Sequence, residues 1–323
     1  MKSAPYFISG IKRLQSKIRL SVDALQHEIE DELKLYKVIN EEALITNQKE
    51  IRVVGLRRSG NHAIMNWLRK QHAGEVFYIN NACIKVNPFR QVYKEQVRKR
   101  QDPSIGGWRT DNIERWRREA KGDFVPKDCL IYSYEDQPIT AFSDRTFERR
   151  HDLYFGRSKV RYDLIIMRDP FNLFASRLRA NERGQTVDDQ MDFMKVKSRS
   201  LSLPQLWQDY AQEYLNETNY LQNIKVPVNY NRWVLDRDYR SQIAEKLAMD
   251  FTDAGFNDVM TNGGGSSFDG VNLNGKASEM LVLERWRKFS TDERFKAMIS
   301  YPKIRESSTK IFGHIPGIET LYE

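Results

Sequence analysis

Between Ile51 and Arg69 the chain reads IRVVGLRRSGNHAIMNWLR, and no other stretch constrains the fold as much. Ile51, Val53 and Val54 are β-branched residues of a buried strand. Gly55-Leu-Arg-Arg-Ser-Gly60 is a tight turn. Asn61 stands where it can cap a helix whose Ala63, Ile64, Trp67 and Leu68 share one side. A glycine-bracketed loop between a strand and a helix aims backbone N–H groups and a helix N-terminus at one point. Such a point is an anion site, and a phosphate is its commonest occupant. The plainer alternative is a strand–helix turn carrying two solvated arginines.

Gly55 and Gly60 have the G-x-x-x-x-G spacing of the nucleoside-triphosphatase loop. There the next two residues are Lys and Ser/Thr, which grip the γ-phosphate and Mg²⁺. Here they are Asn61 and His62, while Arg57 and Arg58 bring positive charge into the loop itself. The pattern predicts a phosphate held without a metal and disfavours a metal-dependent P-loop kinase. A net charge of +8 also favours an anionic partner. The two cysteines, Cys83 and Cys129, form no metal-type or redox pair in sequence, so a reducing compartment is expected. No apolar run has the length of a membrane span, and the first twenty residues lack an apolar stretch adequate for a secretory signal. The expectation is a cytoplasmic protein.

Taken in order, Ile11, Leu14, Ile18, Val22, Leu25, Ile29, Leu33 and Tyr36 recur at helical spacing, which predicts an amphipathic helix within residues 1–45. Its first half is basic and its second half acidic. The stripe can pack on the chain's own core or pair with a second copy as a homodimer; the acidic half argues against a membrane surface. FYINNACI (77–84) and CLIYSYED (129–136) are further strand candidates. Residues 85–128 read as a polar insertion over a cleft, with a nucleic-acid patch as the less favoured alternative because the aromatics are few. YDLIIMRDPFNLFASRLR (162–179) repeats the strand–turn–helix pattern. The polar stretch 181–204 reads as a mobile connection. A helix (204–221), a strand (224–230), a helix (239–251), the glycine-rich TNGGGSSFDG (261–270) and a helix around LVLERWRKF (281–289) complete the chain. Strands alternating with helices predict one α/β domain over 46–323, with a central parallel sheet covered on both faces like a P-loop kinase.

Two of these segments together resemble the sulfotransferase family. Arg58-Ser59-Gly60 matches the Lys-Ser-Gly core of its 5′-phosphosulfate loop. IIMRDPFNLFASRL is similar to its 3′-phosphate segment, with Arg168 and Ser176 at the family's eight-residue spacing. VPVNYNRWVLDRDYRSQIAEKLAMDF resembles a later strand and helix, and the likeness covers roughly residues 50–290. It implies a soluble, bacterial-type enzyme that moves a sulfuryl group from 3′-phosphoadenosine 5′-phosphosulfate (PAPS) to a hydroxyl or amine of a small metabolite or natural product. The product nucleotide would be adenosine 3′,5′-bisphosphate (PAP), and no metal is required. The donor site implied is Arg57, Arg58, Ser59, Gly60, Asn61, His62 and Ala63 at one end, and Arg168 and Ser176 at the other. Two departures matter. The aromatic that stacks on adenine in many relatives falls at Ala63, and the family's C-terminal Arg-Lys-Gly motif is missing. GGGSSF (263–268) stands in its place, so Gly265, Ser266, Ser267 and Phe268 are expected to close over the 3′-phosphate and adenine, although a plain surface loop is the alternative.

Sulfuryl transfer needs alignment, positive charge on the leaving phosphate and a base for the acceptor's proton. Arg58 is expected to supply the charge, with His62 as an additional donor. The family's base ends the strand before Arg-Asp-Pro. That strand here ends Tyr-Ser-Tyr-Glu-Asp, so the resemblance assigns Glu135 as base, with Asp136 as its rival. Side chains alternate along a strand, and the Ser133–Glu135 set is expected to face the donor. Both can equally be solvated acids at a strand end. His151 and His314 read as surface or structural residues.

Overall fold

The chain, described here from a computed structural model, covers residues 25–34, 44–84, 86–102, 112–182, 201–261 and 265–322. A helix α1 spans 25–34, and β1 spans Ile45–Gly55. Then follow α2 (Asn61–Lys70), β2 (Val76–Ile79), α3 (Pro88–Gln101), α4 (Ile113–Lys121) and β3 (Lys127–Glu135). The short helices α5 (Arg145–Arg149) and α6 (His151–Phe155) lead to β4 (Arg157–Ser158), β5 (Arg161–Met167) and α7 (Pro170–Glu182). The last third holds α8 (Leu203–Tyr214), β6 (Ile224–Asn229), α9 (Tyr230–Leu235), α10 (Arg237–Lys246), α11 (Glu293–Ile299) and α12 (Ile304–Phe312).

The strands form one parallel sheet in the order β2-β3-β1-β5-β6, with β4 beside the start of β1. The alternation of side chains explains the layers. Ile51 and Val53 enter an apolar cluster with Trp67 of α2 and Trp233 of α9. Val54 faces the opposite way, into a cluster with Phe89 of α3, Phe171 of α7 and Trp207 of α8. Burial on both faces is why the strands read as near-continuous apolar runs. The fold is the single α/β domain with a helix-covered parallel sheet that the pattern predicts.

The register decides where chemistry can occur. Gly55, the last residue of β1, pairs with Glu135 on one side and Ile166 on the other. Three strands therefore end at one level, where the crevice of an open parallel sheet lies. Of the residues predicted to bind and react, 57–63 follow β1, Glu135 ends β3 and Arg168 follows β5.

Three local expectations need correction. Asn61 does not cap α2. Gly60 takes that place in a left-handed conformation, φ 90°, and Asn61 is the first helical residue. The segment 281–289 is no α-helix but a turn ending in the 3₁₀ stretch Arg285–Phe289. On α1, Leu25, Ile29 and Leu33 face solvent. Its acidic side meets the domain instead: Asp31 accepts two hydrogen bonds from Arg90 and one from Tyr154, and Glu32 accepts from Arg149 and Arg150. The rest of the predicted N-terminal helix, most of 181–204 and the glycines 263–264 lie outside the described residues. In the 85–128 segment, α3 and α4 pack Phe89 and Trp116 against Phe77 of β2. Among the described residues no helix is long and apolar enough to cross a membrane, and both cysteines are free thiols.

Candidate active site

The loop after β1 is held from below. Ser59 N–H donates to the Leu56 carbonyl at 3.1 Å, and the Arg57 N–H donates to Asp136 Oδ1 at 2.9 Å. Arg58 adopts φ 71°, a left-handed backbone that a long side chain occupies only when its surroundings enforce it. Gly60 is obligatory, since a Cβ there would run into the Tyr230 ring. With the loop so shaped, the first N–H groups of α2 lack intrahelical partners and open onto the strand ends.

A cavity of about 400 Å³ lies there. Arg57, Arg58, Gly60, Asn61, His62 and Ala63 form one wall, with Glu135 beside them. Arg168, Arg285, Gly265, Ser266 and Ser267 line it as well, and Arg58 Nη1 donates to the Gly265 carbonyl at 3.3 Å. Trp233, Phe256, Met260, Met280 and Val282 supply its apolar lining. Ser59, Ser176 and Phe268 stand just behind: Ser176 accepts from Arg168, Phe268 lies under the Arg285 guanidinium, and Ser59 is buried in the loop. The residues proposed from sequence thus come together around one space.

The two carboxylates at the end of β3 are separated as strand alternation requires. Glu135 faces the cavity, where its Oε1 accepts from Asn61 Nδ2 at 2.9 Å and its Oε2 lies 3.9 Å from Arg57 Nε. Asp136, at φ 55°, turns the other way. Its Oδ2 accepts from Arg177 of α7 at 2.7 Å, and its Oδ1 takes the Arg57 N–H. Asp136 is consumed in holding the loop, whereas Glu135 keeps a carboxylate in the cavity wall. His62 Nε2 lies 3.1 Å from Asn80 Oδ1, which also accepts from Ser133 Oγ at 3.2 Å.

Arg168 is buried. Its Nη1 donates to the Arg58 carbonyl at 2.9 Å and to Ser176 Oγ at 3.1 Å, and its Nη2 donates to the Val282 carbonyl. No carboxylate lies within ion-pair distance of it among the described residues. Arg285 reaches Ser176 Oγ at 3.3 Å, Ser266 Oγ at 2.8 Å and Asp269 at 3.2 Å. Burial and then the Arg168 charge pull the Arg285 guanidinium down to about 10, and burial also lowers Arg58 and Arg168. Two buried guanidinium groups and a part-buried one at one cavity, their charges disfavoured by burial, suit an anionic ligand.

Four buried atoms confirm that polar capacity is left over. Ser59 Oγ, Asn61 Oδ1, Ser267 Oγ and Arg168 Nε have no hydrogen-bond partner. Buried polar atoms are ordinarily satisfied, so a group of them in and behind the walls of one cavity marks a place built for polar ligand atoms. The cavity thus combines hydroxyls and guanidinium N–H groups with an apolar lining. Sequence reasoning missed Arg285, Trp233, Phe256, Met260 and Met280. Arg285 sat in a stretch whose apolar spacing suggested an ordinary helix. Trp233 and Phe256 carry no local signal, since only the packing of α9 and the 251–260 segment on α2 brings them to the cavity.

Neither a protein-family model nor a curated protein sequence matches this chain. Solved structures that it is similar to include the sulfotransferase domain of the Synechococcus PCC 7002 olefin synthase, at 13% identity and TM-score 0.48 over 84% of this chain and 98% of that one. The sulfotransferase domain from the curacin biosynthetic pathway is similar at 13% identity and TM-score 0.46, covering 82% and 98%. Mouse sulfotransferase SULT7A1, solved in complex with PAP, is similar at 11% identity and TM-score 0.43, covering 83% and 90%.

Proposed function

We propose that this chain is a PAPS-dependent sulfotransferase acting in the cytoplasm on a hydroxyl or amine of a small molecule. The observation that carries the reading is one cavity lined by Arg57, Arg58, Arg168 and Arg285, with Ser59 Oγ, Ser267 Oγ and Arg168 Nε left without hydrogen-bond partners in and behind its walls. A nucleotide with a charged group on each side of its ribose would answer this concentration of positive charge and spare donors. Arg168, Arg285 and the serines would hold the 3′-phosphate. Arg57, Arg58, Ser59 and the first N–H groups of α2 would hold the 5′-phosphosulfate. The base would lie against Trp233, Phe256, Met260 and Met280, which replaces the aromatic absent at Ala63.

When bound, the donor supplies an activated sulfuryl group. Arg58 and the α2 N-terminus would hold the 5′ end and stabilise the negative charge on its phosphate, and fixed donors of that kind account for much of enzymatic rate enhancement. Glu135 is the base for the acceptor's proton. Asn61 Nδ2 and Arg57 orient its carboxylate, and one oxygen remains toward the cavity. Asn61 and His62 occupy the positions where a Mg²⁺-dependent loop keeps its Lys and Ser/Thr, so the loop needs no metal to grip phosphate. Residues 46–323 form the catalytic domain in this reading, and 1–45 an extension outside the chemistry.

Titration calorimetry with PAP in EDTA tests the proposal. Binding at micromolar affinity or tighter, unchanged on adding Mg²⁺, is expected. No binding, or binding that requires Mg²⁺, removes it.

A further inference from the structure

A second cavity, of about 160 Å³, adjoins the first, and Asn80 and Asn81 stand in the walls of both. Its origin is local. β2 stops at Ile79, Asn81 turns through φ 50°, and the N–H groups of Asn81 and Ala82 donate to Ser133 Oγ and Ser133 O, both at 2.7 Å. The chain is pinned beside β3 before it enters α3, whose Gln91 and Glu95 complete the cavity. Ser133 and Glu135 are two residues apart on β3 and share a face, so the cavity opens on the side where Glu135 stands.

The lining is polar and incompletely paired. Asn80 Oδ1 is committed to Ser133 and His62, and no described residue accepts from its amide N–H groups. Gln91 Nε2 reaches Glu95 Oε1 only at 3.5 Å, and Gln91 Oε1 is buried with no partner. The cavity therefore asks for groups that donate to a carbonyl and a carboxylate while accepting from an amide.

We infer that this cavity is the acceptor subsite and that the acceptor is polyhydroxylated, a sugar or sugar-like polyol; the inference rests on the sulfotransferase reading above. A hydroxyl both donates and accepts, so neighbouring hydroxyls can satisfy Gln91 Oε1, Glu95 and the Asn80 N–H groups together. A flat phenol has one O–H to donate and would leave either the buried Gln91 carbonyl or the carboxylate unmet, which is costly. An alkylamine would answer the carboxylate but offer nothing to the Asn80 donors. The acceptor would lie across Asn80, with one hydroxyl entering the main cavity beside Glu135.

Saturation-transfer NMR on the full-length protein with saturating PAP tests this with methyl glucoside, methyl galactoside, methyl mannoside and myo-inositol, against phenol and butylamine. At least one polyol should receive saturation and neither control should. Gln91→Leu and Glu95→Gln should each weaken that polyol about tenfold, the effect of one lost hydrogen bond to a charged or buried group, while the PAP titration stays unchanged. If PAP binds but no polyol does, or phenol or butylamine binds in their place, the acceptor inference fails alone. Variants that bind the polyol like the parent also overturn it. A protein that binds no PAP brings down the sulfotransferase reading beneath it.

Discussion

Midway along β1, Glu50 and Arg52 are buried ions paired with groups of opposite charge. Glu50 accepts from Tyr132 at 2.6 Å and from Ser158, and sits 2.7 Å from His151 Nε2. Arg52 donates through Nε and Nη2 to Asp163 at 2.7 and 3.0 Å and through Nη1 to Glu148 at 2.7 Å. Beyond the end of the same strand, Arg168 is equally buried, yet it has only carbonyls and a hydroxyl for partners and an Nε with none. The same fold that pairs its charges in one place leaves them under-satisfied in another. The first arrangement holds the sheet together. The second costs stability, and such departures from local consistency are expected where a ligand completes the set.

The contrast predicts different failures at the two places. The largest effect should follow Glu135→Gln, which keeps the Asn61 contact and removes the basicity. Steady-state kinetics should show kcat lower by roughly 10²–10⁴-fold, the worth of a positioned base, with PAP affinity unchanged. Normal turnover would move the base elsewhere, with His62 the next residue to test.

Arg52→Ala breaks a buried ion pair by removing one partner and strands Asp163 in the core. Denaturant unfolding should report a loss of about 3–5 kcal/mol, while PAP affinity, measured where the variant remains folded, is unaltered. If donor affinity fell as much as stability, the separation of the two places would be wrong.

Arg58→Ala should do the reverse. PAP binding should weaken by about 1.5–3 kcal/mol, the range for hydrogen bonds to charged groups, with little change in unfolding midpoint. Unchanged affinity would return the loop to a plain strand–helix turn.

The smallest effect is on pH dependence. Burial opposes the charge on His151, but Glu50 and Asp152 overcome it and raise the imidazole above its ordinary 6.5. A group raised on folding stabilises fully below its unfolded value and loses that contribution as pH climbs through the folded one. Glu50 runs oppositely. Burial works against its charge, yet His151, Arg161 and Ser158 hold the carboxylate down to about 2. Its contribution is complete above the ordinary 4.5 and is lost as pH falls toward about 2. Melting temperature should therefore fall on both sides of the interval between those two ordinary values, and His151→Gln should flatten the alkaline side. An identical alkaline slope in the variant would contradict the assignment.

What the sequence made legible follows the range of the interactions. Gly55–Gly60 and Arg168–Ser176 were readable as cavity-lining segments because each is built within one strand–turn–helix. Side-chain alternation said that only one of Glu135 and Asp136 could face the cleft, and the resemblance pointed to Glu135; Arg177, which takes Asp136 away, lies 41 residues further on. Asn61 looked like a cap because its type suits one. The loop instead places Gly60 at the boundary and uses the Asn61 side chain to hold Glu135. The stripe of α1 showed a helix but not which side would dock. Arg90, Arg149 and Arg150 decided that in favour of the acidic side, leaving Leu25, Ile29 and Leu33 exposed. Arg285 and Trp233 were not readable at all, since tertiary packing alone brings them to the cavity.

The central claim is that one cavity reads both charged ends of the donor. Calorimetry of the parent protein and Arg168→Ala with PAP and with adenosine 5′-phosphate tests it most directly, because the second ligand lacks only the 3′ group. The parent should prefer PAP, and Arg168→Ala should lose most of that preference while binding adenosine 5′-phosphate nearly as before. Equal losses for both ligands, or a parent that does not distinguish them, would contradict the account.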